Sequence, residues 1–318
     1  MKINSLSDIV EGKLLNSPAI SFITQIHTNI KKVNEGDAFF AFCEDEIKEA
    51  LQNGAFAIIT QFEPKISDKE IAWIKVDDIL KAITNTLRYK LLKHDHKLIK
   101  VDKILYRMIK HFIPKNNEET TLLSNNILND FETLYSIKSE QTVYSTNLNI
   151  LKAISPDIKI INTKEYKVKN LTCHSLFETS FSYNGIFYDK VKLPYLYIDY
   201  FLELNHLMNF NPDTKKINSF DLFKPVFINK SSQIVPFGQT NRFIIANKDN
   251  HISEYEIEYL KKYYKYGKIK TIDMKDLTDS EIFNIIKLHD YNALYIIGKS
   301  NETITKILQQ NDKSYLLF

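Results

Sequence analysis

Unbroken apolar runs separated by amphipathic stretches set the pattern of this chain. Residues 38–42 and 55–60 are apolar almost throughout, as expected of strands covered on both faces. Between them, residues 46–53 read as a short helix that Gly54 ends in a left-handed cap, and the turn Asn34-Glu35-Gly36-Asp37 enters the first run with Gly36 supplying positive φ. Strand, helix and strand in this order predict a parallel pair. Residues 72–76 add a strand, and Asp77 or Asp78 caps a helix over 79–92. Residues 97–101 predict another strand, leading into a helix through Phe112 that stops near Pro114. Strand signals return at 142–144, 158–161 and 180–191, the last folding back at Tyr183-Asn184-Gly185. An apolar helix covers 195–210 and ends at Asn211-Pro212-Asp213. From Phe243 the alternation is regular: strand 243–246, helix 253–266 closed by Gly267, strand 268–272, helix 279–288, strand 293–297, helix 302–310 and a last strand 315–318. Such alternation predicts a small, mostly parallel sheet, and no internal repeat is found.

At 318 residues the chain has room for two or three domains of roughly 100–200 residues. Its 42 Lys and Arg against 39 Asp and Glu leave a net charge of +3, too small an excess for a nucleic-acid binder. Cys43 and Cys173 lie far apart without ligand spacing, so the sequence implies reduced, buried thiols in a cytoplasmic protein and neither a disulfide framework nor a zinc site. The N-terminal residues lack the apolar core of a secretion signal, and no stretch reaches the roughly 20 apolar residues of a membrane span. Glycine is more informative: none occurs between Gly54 and Gly185. A phosphate-cradling loop needs convergent N–H groups with no Cβ in the way, so the middle third cannot build one.

Lys31-Lys32-Val33-Asn34-Glu35-Gly36-Asp37-Ala38-Phe39-Phe40-Ala41 resembles the substrate-binding N-terminal domain of the murein peptide ligases, the Mur ligases, especially the MurE and MurF types, which read Val-x-x-Gly-Asp-Leu-Phe-Val-Ala there. The resemblance continues through residues 49–59 and through Val76-Asp77-Asp78-Ile79-Leu80-Lys81-Ala82. Downstream it is fainter but collinear. Residues 97–113 take the place of the family's ATP-binding strand, phosphate loop and helix without the Gly-x-x-Gly-Lys-Thr loop, and residues 243–297 look like its C-terminal dinucleotide-fold domain. The resemblance implies an α/β chain of three parts: an N-terminal domain over 1–93, a reduced middle domain over 94–236 and a C-terminal Rossmann-like domain over 237–318. In the family, loop Lys and Thr residues bind ATP and magnesium, a middle-domain Glu and His complete the metal site, and a modified Lys assists. None has a counterpart here, so no catalytic or metal-binding residue is assigned. His27-Thr28-Asn29 replaces the family's Asp-Ser/Thr-Arg near the nucleotide-sugar site, removing an anion-binding Arg, and the loop after the first strand is reduced to Cys43-Glu44-Asp45.

The remaining candidates each carry a bland reading as well. Thr28 and Asn29 hold the place of the family's sugar-nucleotide residues. Thr240, Asn241 and Arg242, after Gly238, present donors suited to a phosphate or carboxylate, or form a turn with Arg242 in a structural pair. Lys299 and Ser300 stand between a strand and a helix, where an anion or a simple cap is at home. Thr120-Thr121 is expected in a loop or cap, His94 and His96 as solvated residues, and His206 with Glu203 as a satisfied pair. The tyrosines and phenylalanines around 195–201 and 259–266 are expected to pack or form an interface rather than stack on a base.

The expectation is a non-catalytic Mur-ligase-like pseudoenzyme with a binding or scaffolding role near peptidoglycan precursor synthesis. A UDP-muramoyl-peptide or cell-wall synthesis proteins are its expected partners, and no cofactor is expected. ATP and magnesium enter only under an alternative, an ATP-dependent ligase with a divergent nucleotide site around Arg242 or Lys299. A protein-interaction module outside the pathway is the third reading.

Overall fold

In the computed structural model, residues 1–93, 95–114, 117–209 and 212–313 are described. The last strand expected at 315–318 and the first histidine of the His94/His96 pair lie outside them. The chain forms two compact units, residues 1–102 with 114–162, and residues 103–113 with 163–318. The expected boundary at 93/94 falls inside the first unit and that at 236/237 inside the second.

The first unit opens with helix α1 (Ile3–Ile9), strands β1 (Lys13–Leu14), β2 (Ile26–His27) and β3 (Ala38–Ala41), helix α2 (Glu44–Gln52), strands β4 (Ala57–Thr60) and β5 (Ala72–Lys75), helix α3 (Ile79–Leu91) and strand β6 (His96–Lys100). Helix α4 (Lys103–Phe112) then belongs to the second unit. The chain returns to the first unit with β7 (Thr120–Leu122), α5 (Ile127–Tyr135), β8 (Gln141–Ser145), α6 (Leu148–Ile154) and β9 (Ile158–Ile160). Two sheets result, ordered β1-β5-β4-β3-β2 and β7-β8-β6-β9, and every pairing is parallel except β1 with β5. All residues of β3 and β4 are buried, as their unbroken apolar runs require. Gly36 and Gly54 adopt φ of 93° and 87°, and a Cβ on Gly54 would sit 2.9 Å from the Glu35 Cα, so the glycine is sterically required. Asp78 alone makes the α3 cap, accepting from the N–H groups of Leu80 and Lys81. One apolar core spans both sheets, and Phe40 of β3 meets Phe131 of α5 edge to face at 5.9 Å.

Three expectations change here. Thr120-Thr121 is not loop or cap but strand β7, paired in parallel with β8. Cys43 and Cys173 are free thiols as expected, but both are exposed rather than buried. Glu203 and His206 are not a pair: Glu203 is buried and accepts from the Tyr166 hydroxyl at 2.8 Å, while His206 is exposed.

The second unit continues with an antiparallel sheet of β10 (Lys169–Cys173), β11 (Thr179–Tyr183) and β12 (Ile186–Val191), then α7 (Ile198–Met208), α8 (Thr214–Asn218) and β13 (Val226–Phe227). Asn184 and Gly185, both at positive φ, make the β11–β12 hairpin turn. The regular part follows: β14 (Phe243–Asn247), α9 (Asn250–Tyr263), β15 (Ile269–Asp273), α10 (Asp279–Lys287), β16 (Ala293–Ile297) and α11 (Asn301–Lys313). Its sheet runs β13-β14-β16-β15, parallel except for β13. Side chains alternate across a strand, so each face takes its own helices. Ile244, Ala246, Leu294 and Ile296 share a core with α10 and α11, whereas Tyr295 points to α9, where its hydroxyl meets Glu256.

Candidate functional site

Helices α9 and α11 follow the neighbouring strands β14 and β16 but cover opposite faces of the sheet. The connections therefore part at the carboxyl ends of these strands, and open α/β sheets bind ligands in the crevice such a switch point leaves. A cavity of about 720 Å3 lies there. Its strand-end wall is Ala246, Asn247, Lys248 and Asp249 on one side and Ser300, Asn301 and Glu302 on the other; α4 adds Arg107, Lys110 and His111.

Local chemistry explains why this region holds its shape. Asp249 caps α9 by accepting from the N–H groups of His251 and Ile252, and Ser300 accepts from Thr303 N–H at the start of α11. Asn301 ties α11 to the sheet, its Oδ1 accepting the Ala246 N–H at 2.8 Å. Arg107 donates to Asn247 Oδ1 at 3.3 Å and to Asp221 at 2.8 Å. Beneath them Glu256 is fully buried and accepts from the Tyr197 and Tyr295 hydroxyls and, at 3.4 Å, from Asn247 Nδ2. Burial pushes the Glu256 carboxyl above its ordinary value although the three donors and the Arg107 charge pull it down.

The acids lining the cavity are each tied to a cation: Asp221 to Arg107, Asp249 to Lys103 at 2.8 Å, and Glu302 to Lys306 at 2.6 Å. Among the described residues Lys110 and Lys248 stand outside these pairs and face the cavity, where two helices start with their dipoles' positive ends and with caps on some of their first N–H groups. The arrangement suits a polar ligand with negative charge. No group of three or more His, Cys, Asp or Glu residues suited to a metal occurs among the described residues.

Of the residues singled out from sequence, Ser300 lines this cavity. Lys299 donates to the Leu277 carbonyl at 3.0 Å. Arg242 donates to the carbonyls of Tyr291 and His289 and to the His289 ring, Thr240 bonds the carbonyls of Ile228 and Arg242, and the Asn241 carbonyl accepts from Tyr264. Lys299, Thr240, Asn241 and Arg242 do not line this cavity. Arg107, Lys110, Asn247 and Lys248 were missed, because the switch point follows from strand order, which the alternation of elements does not reveal. The polar run Asn247-Lys248-Asp249-Asn250 directly after a buried strand was the available signal.

Thr28 and Asn29 lie in the first unit, at the end of β2, and already hold an anion. Glu132 of α5 accepts their N–H groups at 2.9 and 3.2 Å, and its other oxygen meets His27 Nδ1 at 2.8 Å. The opposite ring nitrogen faces Asp37 at 3.3 Å. The hydrogen bond to Glu132 raises the His27 pKa, against burial and with help from both carboxylate charges. Burial raises the Glu132 carboxyl, but the bonds from His27, Thr28 and Asn29 outweigh it and leave the group below its ordinary value.

MurF ligase from Thermotoga maritima, solved in complex with ADP, superposes with a TM-score of 0.53 at 14% identity, covering 90% of this chain and 96% of that one. MurF from Acinetobacter baumannii gives 0.52 at 11% identity, covering 98% of both chains. The fold is that of the Mur ligases. A family model for the mid HEAT-repeat region of proteasome activator complex subunit 4 matches residues 4–152. That segment forms two mostly parallel sheets with helices, not stacked helix pairs, so the match does not describe its fold. No curated protein matches the chain by sequence. Among the described residues no helix is long and apolar enough to cross a membrane.

Proposed function

We propose that this chain is a binding protein with a Mur-ligase fold that does not carry out ATP-dependent ligation, and that it holds an anionic ligand of peptidoglycan precursor synthesis in the cavity at β14 and β16. The carrying observation is the link between β6 and α4, which is only Val101-Asp102. A phosphate loop places several N–H groups around an anion on a glycine-rich backbone, and two residues without glycine cannot. The link to peptidoglycan precursors rests on the likeness of the fold to the MurF ligases. The self-engaged Thr28 and Asn29 add support, since their N–H groups are spent on Glu132.

A ligand that binds only the native state raises its melting temperature. The test is therefore a thermal-shift titration with ATP plus magnesium and, separately, a UDP-linked muramoyl peptide, beside an ATP hydrolysis assay. Stabilisation by the muramoyl nucleotide without hydrolysis supports the proposal; hydrolysis or ligation by the purified chain refutes it. A second reading, an ATP-dependent UDP-N-acetylmuramoyl-peptide ligase with a divergent nucleotide site, is favoured by the cavity's place at a switch point. It requires ATP-dependent stabilisation that Arg107→Ala abolishes. No shift with either ligand points to a protein partner instead.

A further inference from the structure

The phenylalanines of the second unit enclose a second pocket, of about 230 Å3, beside β13. Phe177, Phe223, Phe227 and Phe237 form much of its wall, with Phe177 ring centres 5.4, 6.1 and 6.2 Å from the other three. Phe237 and Ile234, which also line it, remain 37% and 40% exposed, so apolar surface at its mouth faces water that a ligand would displace. At the rim stand Lys192 and Lys224. The Lys192 ammonium lies 4.7 Å from the centre of the Phe237 ring, and its backbone N–H is fixed by Asn218 Oδ1 at 2.7 Å. Among the described residues no carboxylate lines this pocket, and neither ammonium is in an ion pair with one.

An apolar interior with two uncompensated cations at its mouth selects a ligand by a contrast within one molecule: a hydrocarbon body and an anionic end. A nucleotide or sugar would bury polar groups here without partners, which is costly. The volume, below the roughly 300–1,000 Å3 of drug-sized sites, limits the ligand to a short chain. We propose that the pocket binds a free medium-chain fatty acid, the chain among the phenylalanines and the carboxylate at Lys192 and Lys224. This site is separate in residues from the cations of the cavity at β14 and β16, although Leu222 lines both.

The test is isothermal titration calorimetry of the full chain with sodium octanoate below its micellar concentration, and with octanol as the neutral comparison. Octanoate is expected to saturate a single site and octanol to bind about tenfold more weakly or less, since a charge-assisted bond is absent. The double variant Lys192→Glu/Lys224→Glu changes two exposed side chains; it is expected to keep the melting temperature, lose octanoate affinity about tenfold and keep that for octanol. If the double variant unfolds early, Lys192→Gln and Lys224→Gln singly carry the same comparison. Absence of saturable octanoate binding, or equal octanoate affinity in variant and parent, overturns the proposal. Because Arg107 and Lys110 are untouched, the result is independent of the muramoyl-nucleotide titration.

Discussion

The end of β2 in the first unit and the ends of β14 and β16 in the second offer the same raw material, backbone N–H groups at the close of parallel strands, and treat it oppositely. In the first, Glu132 reaches across from α5 and takes the donors of Thr28 and Asn29. In the second, Asp249 takes only the His251 and Ile252 N–H groups of the helix it caps, each acid at the strand ends has its own cation, and the strand ends open on a cavity. Whether a strand end is a binding place thus depends on where the nearest acids are spent. A neighbouring carboxylate turns a site into a fastening.

The largest expected effect comes from undoing the fastening. Glu132→Ala leaves two N–H groups and His27 without their acceptor, and urea denaturation is expected to show a loss of about 2 kcal/mol. Glu132→Gln should recover part of it, because the amide oxygen still accepts. Next, Lys110→Ala or Lys248→Ala should weaken the muramoyl nucleotide about tenfold, as expected when a charged hydrogen bond is removed, with urea unfolding of the first unit unchanged. An equal loss in a Lys299→Ala variant would move the site away from the cavity.

Smaller effects concern protons. Glu256 has a raised pKa in the fold, so its stabilising neutral form is fully present below the unfolded value near 4.5 and the contribution is lost as pH rises through the folded value. Glu256→Gln should therefore gain melting temperature relative to the parent as pH goes from 4 to 7, and a constant difference would contradict the buried acid's role. His27 also has a raised pKa, giving stability present below about 6.5 and lost as pH rises through its folded value; Glu132, lowered, loses its contribution as pH falls below about 4.5. The first unit should thus be most stable between these limits. His27→Gln should flatten the upper slope of melting temperature against pH and, because the His27 bond helps hold Glu132 low, weaken the lower one as well.

Much of the regular architecture was legible. Buried runs at β3, β4, β14 and β16 announce themselves through local pattern, as does a cap at Asp77 or Asp78, of which the structure uses Asp78. What escaped depends on neighbours. Strand β7 is three polar-flanked residues that become a strand only through β8, and α5 follows a polar stretch in which Asn126 acts as its cap. Helix α4 directly follows β6 in sequence, yet Phe112 packs on Phe201 and Phe220 of the second unit. Arg107 is delivered to the cavity by that packing. No motif at residue 107 could have disclosed it, whereas the missing phosphate loop was plain from glycine alone.

The two exposed thiols give the molecule an experimental handle. Cys43 lies in one compact unit and Cys173 in the other, with no further cysteine in the chain. The unaltered protein therefore carries one attachment point for a fluorophore on each body. Partial desolvation of its sulfur raises the Cys173 thiol, which slows its reaction with maleimide near neutral pH relative to an ordinary thiol. Energy transfer between dyes on the two thiols would report whether adding a ligand changes the distance between them, without a single substitution.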